Sequence, residues 1–116
     1  MTLLQPKGGR AVSRLFTVLV EGPSMVPTLR HGDALLVRST SNGRPGMVAV
    51  VRYPGQDGLF VKRLSHKVGD AWWAIGDNDL ASSDSRDYGS AEVVGRVLLR
   101  WWPRPVWVRS HLGPWR

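Results

Sequence analysis

Five turn dipeptides cut the chain into short pieces: Gly32-Asp33, Asn42-Gly43, Pro45-Gly46, Pro54-Gly55 and Gly69-Asp70. Glycine opens backbone conformations that other residues avoid. Proline fixes φ and removes a backbone donor, so no long helix can run through such points. Between them stand runs rich in β-branched and aromatic residues: Leu15–Glu21, Ala34–Arg38, Met47–Tyr53, Leu59–Ser65, Ala71–Ile75 and Val94–Trp101. Each reads as a strand. Ser90–Val94 has the composition of a brief helical turn. With 13 glycines and 8 prolines in 116 residues, a helical bundle is excluded. A compact all-β domain of coiled sheets is expected. The length suits one domain with one core, residues 1–14 read as a loose tail, and no internal repeat is visible.

There are no cysteines, which removes disulfides, thiolate metal sites and a thiol nucleophile together. The longest apolar run, Leu15 to Val20, is six residues with a threonine inside. A bilayer span needs about 20 apolar residues, so a soluble or at most membrane-peripheral chain is expected. The net charge of +7 suggests a nucleic-acid binder until it is mapped. Residues 1–20 carry three Lys/Arg and no acids, and residues 96–116 carry five Arg and no acids. The stretch 21–95 holds eight Lys/Arg against nine Asp/Glu, a balance of −1. The excess therefore lies in the two ends, and the central body is not basic.

Three segments could carry chemistry. In EGPSMVPTLRHGD, Glu21 to Asp33, Pro23 and Pro27 stiffen the backbone around Ser24. A hydroxyl held in one orientation is what nucleophilic attack requires, although a serine beside proline can also simply order a turn. Such a nucleophile needs a base. His31, His66 and His111 sit in polar or turn contexts, and a Ser-His-Asp triad through His31 and Asp33 would need both in one tight turn. Among the lysines, Lys7 lies in the tail and Lys67 in a polar turn. Lys62 stands in Leu59-Phe60-Val61-Lys62-Arg63-Leu64, where strand alternation places it on one face with Phe60 and Leu64. Desolvation there would lower its pKa from about 10.4 and let it accept a proton. A strand lysine reaching out to solvent is the alternative. The third segment, GDNDLASSDSRDYG from Gly76 to Gly89, is rich in aspartate but lacks the glycine and closing glutamate of a calcium loop. It reads as a structural loop in which Asp84 and Arg86 pair across a turn. Its serine hydroxyls could orient a lysine amine. No metal or cofactor is expected.

In this order the three segments resemble the nucleophile, lysine and GDN…S.DSR boxes of the type I signal peptidase (S26) family of serine proteases, over roughly residues 20–100. The resemblance implies a LexA/signal-peptidase-type fold of coiled β-sheets with a barrel-like core. The catalytic domain would be residues 15–101, followed by a basic Trp/Arg-rich extension, 102–116. It implies Ser24 as nucleophile, Lys62 as general base and Ser82 as the residue orienting the lysine amine. Asp84 and Arg86 would structure the loop, Met25 and Pro27 would shape the pocket, and the Ser24 N–H would serve the oxyanion hole. Some family members carry a hydroxyl two positions before the nucleophile as a second oxyanion donor. Here that position is Gly22, and losing such a donor typically costs about 10²–10³ in rate.

Typical members also have membrane anchors and a large insertion after the lysine box, whereas Lys62 and Gly76 are fourteen positions apart. That minimal form resembles the nickel-type superoxide dismutase maturation proteases. It implies a cytoplasmic enzyme that removes the leader of a nickel superoxide dismutase precursor. The alternatives are a peripheral type I signal peptidase, docked on anionic membrane through the Trp/Arg tail, and a single-strand nucleic-acid-binding module using that tail. For the enzyme, no nucleic-acid partner is expected. A LexA-like self-cleaving repressor is rejected, because about twenty residues before the first box leave no room for a DNA-binding domain.

Overall fold

The computed structural model describes residues 14–78, 80 and 83–108. Seven strands and one short helix follow in chain order: β1 (Leu15–Leu19), β2 (Ala34–Ser39), β3 (Val48–Arg52), β4 (Phe60–Val68), β5 (Ala71–Ile75), α1 (Ser85–Tyr88), β6 (Glu92–Trp102) and β7 (Val106–Trp107). The all-β expectation holds, and the six predicted strands match β1 to β6 to within a few residues at each end. The brief helix is displaced. It lies at Ser85–Tyr88, while the predicted turn at Ser90–Val94 runs into β6. Asp84 decides this by capping the helix: its carboxylate accepts the Arg86 N–H and its own N–H meets the Asp87 side chain.

Every strand pairing is antiparallel, in the order β1-β2-β6-β3-β4-β5, with β7 also on β6. The sheet does not close, its strand β3 is buried on both faces, and the architecture agrees with the expected fold of coiled β-sheets. Register shifts at Ala34/Leu35, Leu36/Val37, Val50/Val51 and Leu64/His66 interrupt the ladders, and bulges of this kind sharpen local twist. Alternation along β3 shows the two-sided burial. Val48 and Val50 join a cluster with Val18, Met25, Leu29, Leu35 and Val97, whereas Ala49 and Val51 join another with Tyr53, Leu64, Trp72 and Val93. A strand buried on both sides reads as a continuous apolar run, and MVAVV is such a run.

The turn glycines act in different ways. Gly69, at φ +61°, makes the two-residue turn between Val68 and Ala71, a conformation that favours glycine. Gly43 instead admits close packing. A Cβ there would lie 2.7 Å from a Leu64 methyl and 2.9 Å from the Trp72 indole.

Candidate active site

The loop between β1 and β2 carries Ser24, and its own backbone builds it. At the stem, the Val20 N–H donates to the Asp33 carbonyl (2.9 Å) and the Gly32 N–H to the Val20 carbonyl (2.8 Å). Higher up, the Gly22 N–H donates to His31 Nδ1 (3.0 Å). Around the serine, the Val26 N–H reaches the Pro23 carbonyl and the Leu29 N–H reaches the Met25 carbonyl. Met25 and Leu29 are buried in the first cluster and anchor the loop from below. Ser24 is half-buried and Pro27 is exposed.

Strand β4 presents two buried cations side by side. Arg63, 1% exposed, gives Nε and Nη2 to the two oxygens of Asp77 at 2.8 Å each, and Nη1 to the Gly46 carbonyl at 2.8 Å. Lys62, 3% exposed, lies opposite Ala49 in the β3–β4 ladder. Its strand neighbours Phe60 and Leu64 pack into the second cluster, so the lysine shares an apolar face. Burial holds its pKa below the usual lysine value. Asp84 pulls it upward, Arg86 pulls it down and Asp87 raises it. The alternative of a solvent-reaching strand lysine is thereby settled in favour of burial.

The Gly76–Gly89 segment fastens these pieces together. Asp77, already on Arg63, also accepts from the Thr28 hydroxyl in the Ser24 loop. The Asn78 N–H donates to the Ser24 carbonyl (2.8 Å), and Asn78 Nδ2 donates to the Pro23 carbonyl (3.0 Å). Fully buried Asp84 accepts the Gly76 N–H at 2.8 Å. It also pairs with Arg86 through Nε (3.0 Å) and Nη2 (2.8 Å), so the predicted Asp84–Arg86 pairing is present. Asp77 thus serves an arginine and a hydroxyl, and Asp84 serves an arginine and backbone N–H groups, as a structural loop requires. The Ser85 hydroxyl receives the Ala74 N–H (2.8 Å) and locks α1 onto β5.

Ser24, Met25 and Lys62 line one groove of about 790 Å³, together with Val50, Leu59, Phe60 and Trp101. Thirty-eight positions separate the serine and lysine in sequence, and the fold brings them to the same cavity. Pro27 is not among the lining residues, because it sits on the exposed side of the loop. Ser82 lies outside the described residues. The His31–Asp33 triad does not form: His31 Nδ1 accepts the Gly22 N–H, while Asp33 accepts the Arg30 N–H (2.8 Å) and faces Arg100 at 3.7 Å. A triad histidine would instead donate from that nitrogen to the carboxylate. Reasoning from sequence missed Thr28, Arg63, Asp77 and Asn78 as the residues joining loop to strand. The one signal for Arg63 was a charged residue inside a strand that reads as core.

A family model described as Peptidase S24-like matches residues 4–98. Mitochondrial inner membrane protease subunit 1 of Schizosaccharomyces pombe is 30% identical over 129 residues, covering 85% of this chain and 82% of that protein. Mitochondrial ATP-independent inner membrane protease subunit 1a of Arabidopsis thaliana is 36% identical over 118 residues, covering 75% and 70%. Mitochondrial inner membrane protease subunit 1 of Xenopus tropicalis is 31% identical over 114 residues, covering 74% and 68%.

Proposed function

This chain belongs to the Peptidase S24-like family, and from that premise we propose a signal-peptidase-like serine endopeptidase in which Ser24 is the nucleophile and Lys62 the general base. One observation carries the assignment: a half-buried serine and a buried lysine of lowered pKa line the same groove. The neutral Lys62 amine takes the Ser24 Oγ proton as Oγ attacks the peptide carbonyl. The Ser24 N–H donates to the developing oxyanion. The ammonium of Lys62 returns its proton to the leaving amine, and the acyl-enzyme is hydrolysed by a water that Lys62 deprotonates in turn. The resemblance to signal peptidases assigns the orienting of that amine to Ser82. Ser24→Ala should abolish cleavage with the melting temperature preserved, and retained cleavage would overturn the assignment.

The substrate is a precursor with an N-terminal leader, and the relatives favour a signal peptidase acting at a membrane surface. Proteins named as inner membrane proteases match over 68–82% of their own length. A short body is therefore no mark of a nickel superoxide dismutase maturation protease. Among the described residues no helix is long and apolar enough to cross a membrane. What supports peripheral contact is the β6–β7 hairpin, where Trp101, Trp102, Val106 and Trp107 are exposed beside Arg104. Indole with arginine suits an anionic lipid interface, and Trp101 also lines the groove. The narrower proposal, cytoplasmic removal of a nickel superoxide dismutase leader, is separated by offering both precursors with and without anionic vesicles. New N-termini are then read by mass spectrometry. Vesicle-stimulated cleavage of the signal-peptide precursor, weakened by Trp102→Ser with Trp107→Ser, supports the membrane enzyme. Vesicle-independent cleavage of the dismutase precursor alone supports the cytoplasmic one. Oligonucleotide retention through the same tryptophans would support the nucleic-acid alternative.

A further inference from the structure

We propose that His31 is a positioning residue that sets the pitch of the nucleophile loop through the Gly22 peptide. The proposal rests on Ser24 being the nucleophile. The loop's two arms meet at the stem through Val20, Gly32 and Asp33, all by backbone groups. Gly22 is the first residue beyond that stem pairing whose N–H is bonded across the loop, and its partner is a side chain, His31 Nδ1 at 3.0 Å. Gly22 stands at φ +79°, in the region glycine favours, with no atom within 4 Å of where a Cβ would be. It is therefore a joint with open space on the side where a Cβ would project. From Pro23 onward the chain is stiff: proline fixes φ, and Asn78 holds the Pro23 and Ser24 carbonyls. The remaining freedom between stem and serine sits at Gly22, and the His31 hydrogen bond restrains it.

The geometry also fixes the ring's role. A nitrogen that accepts from a backbone N–H carries no proton, so the neutral ring holds its proton on Nε2. Nδ1 is thereby occupied by the loop and does not serve Asp33. The family resemblance places a side-chain oxyanion donor at position 22 in some proteases, and glycine there offers none. The same glycine gives His31 a peptide to hold. Small misplacements of a reacting atom cost rate more than binding, so the effect belongs to kcat.

Three substitutions separate this role from general stability. Asparagine offers an amide oxygen near the Nδ1 position, glutamine offers one near Nε2, and alanine offers none. His31→Ala and His31→Gln should each lower kcat about tenfold, the loss of roughly one hydrogen bond's worth of positioning. KM should stay within about twofold, and His31→Asn should recover most of kcat. Wild-type kcat in His31→Ala, a loss carried by KM, or rescue by glutamine instead of asparagine would each overturn the proposal. A second measurement needs no substrate. ¹⁵N NMR should show His31 with its proton on Nε2, and the Gly22 amide should lose exchange protection in His31→Ala. Unchanged protection overturns the hydrogen bond itself. Should Ser24→Ala still cleave, the nucleophile assignment fails, and the positioning role falls with it even if the NMR result stands.

Discussion

On one face of β4, Arg63 gives three nitrogens to Asp77 and Gly46. On the other, one residue earlier, Lys62 lies among apolar side chains with its pKa pushed down by burial. Both cations are removed from water, and the protein resolves the cost in opposite ways. Arg63 keeps its charge because guanidinium holds its proton under all ordinary conditions and a bidentate carboxylate fits its shape. Lys62 can instead shed its charge, which a compact amine does readily when desolvated. A paired cation tethers. Asp77 also takes the Thr28 hydroxyl, so the Arg63 side of the strand holds the Ser24 loop in place. A neutralised cation can accept a proton. The adjacent positions thus divide support from chemistry, and exchanging their roles should destroy both.

The largest expected effect comes from making Lys62 like its neighbour. Lys62→Arg keeps a positive charge that cannot act as base, so cleavage should fall by about 10³-fold or more. Lys62→Met should lose as much activity while melting no lower than the parent, because an apolar side chain of similar volume replaces a buried cation. Substantial cleavage by Lys62→Arg would show that the base lies elsewhere. The mirror experiment strips Arg63 of its partner. Asp77→Ala takes the carboxylate away from a buried guanidinium and should cost about 3–5 kcal/mol in urea unfolding. A loss below about 1 kcal/mol would mean that the pair does not hold the loop and strand together.

The third test uses pH. If Lys62 works as a desolvated base, kcat/KM should rise with pH through one ionisation below the free-lysine value. Linkage fixes the accompanying stability trend. Below its folded pKa, Lys62 is protonated in both states and the burial cost is fully present. As pH climbs from the folded pKa to the unfolded one, only the unfolded chain keeps the proton, so stability rises across that window. Lys62→Met should erase that rise in the urea midpoint, and an unchanged slope would assign it to another group. The smallest effect concerns the charges that act on Lys62. Asp84 raises the Lys62 pKa and its partner Arg86 lowers it. Asp84→Asn keeps a helix-capping side chain but should shift the kinetic limb to lower pH. A shift upward, or none, would show that Asp84 acts on the loop's shape and not on the lysine's charge.

Along the chain, local chemistry by itself determined where strands could start and stop, since glycine and proline act through their own φ and their missing groups whatever surrounds them. It determined the shared face of Phe60, Lys62 and Leu64, because strand alternation needs no partner. It also drew attention to Ser24 between two prolines and to the Asp84–Arg86 turn, each a feature of a few adjacent residues. Tertiary structure decided the rest. The register shifts between β2 and β6 and between β3 and β6 join strands far apart in sequence, and no single strand encodes them. The helix moved to Ser85–Tyr88 because buried Asp84 caps it there while also holding Gly76, eight positions back. Asp77 drew Arg63 and Thr28 together from fourteen and forty-nine positions away, and His31 turned from a triad suspect into an acceptor for Gly22. Local conformation follows from neighbours along the chain, whereas a hydrogen bond's partner is whichever group the fold carries within about 3 Å.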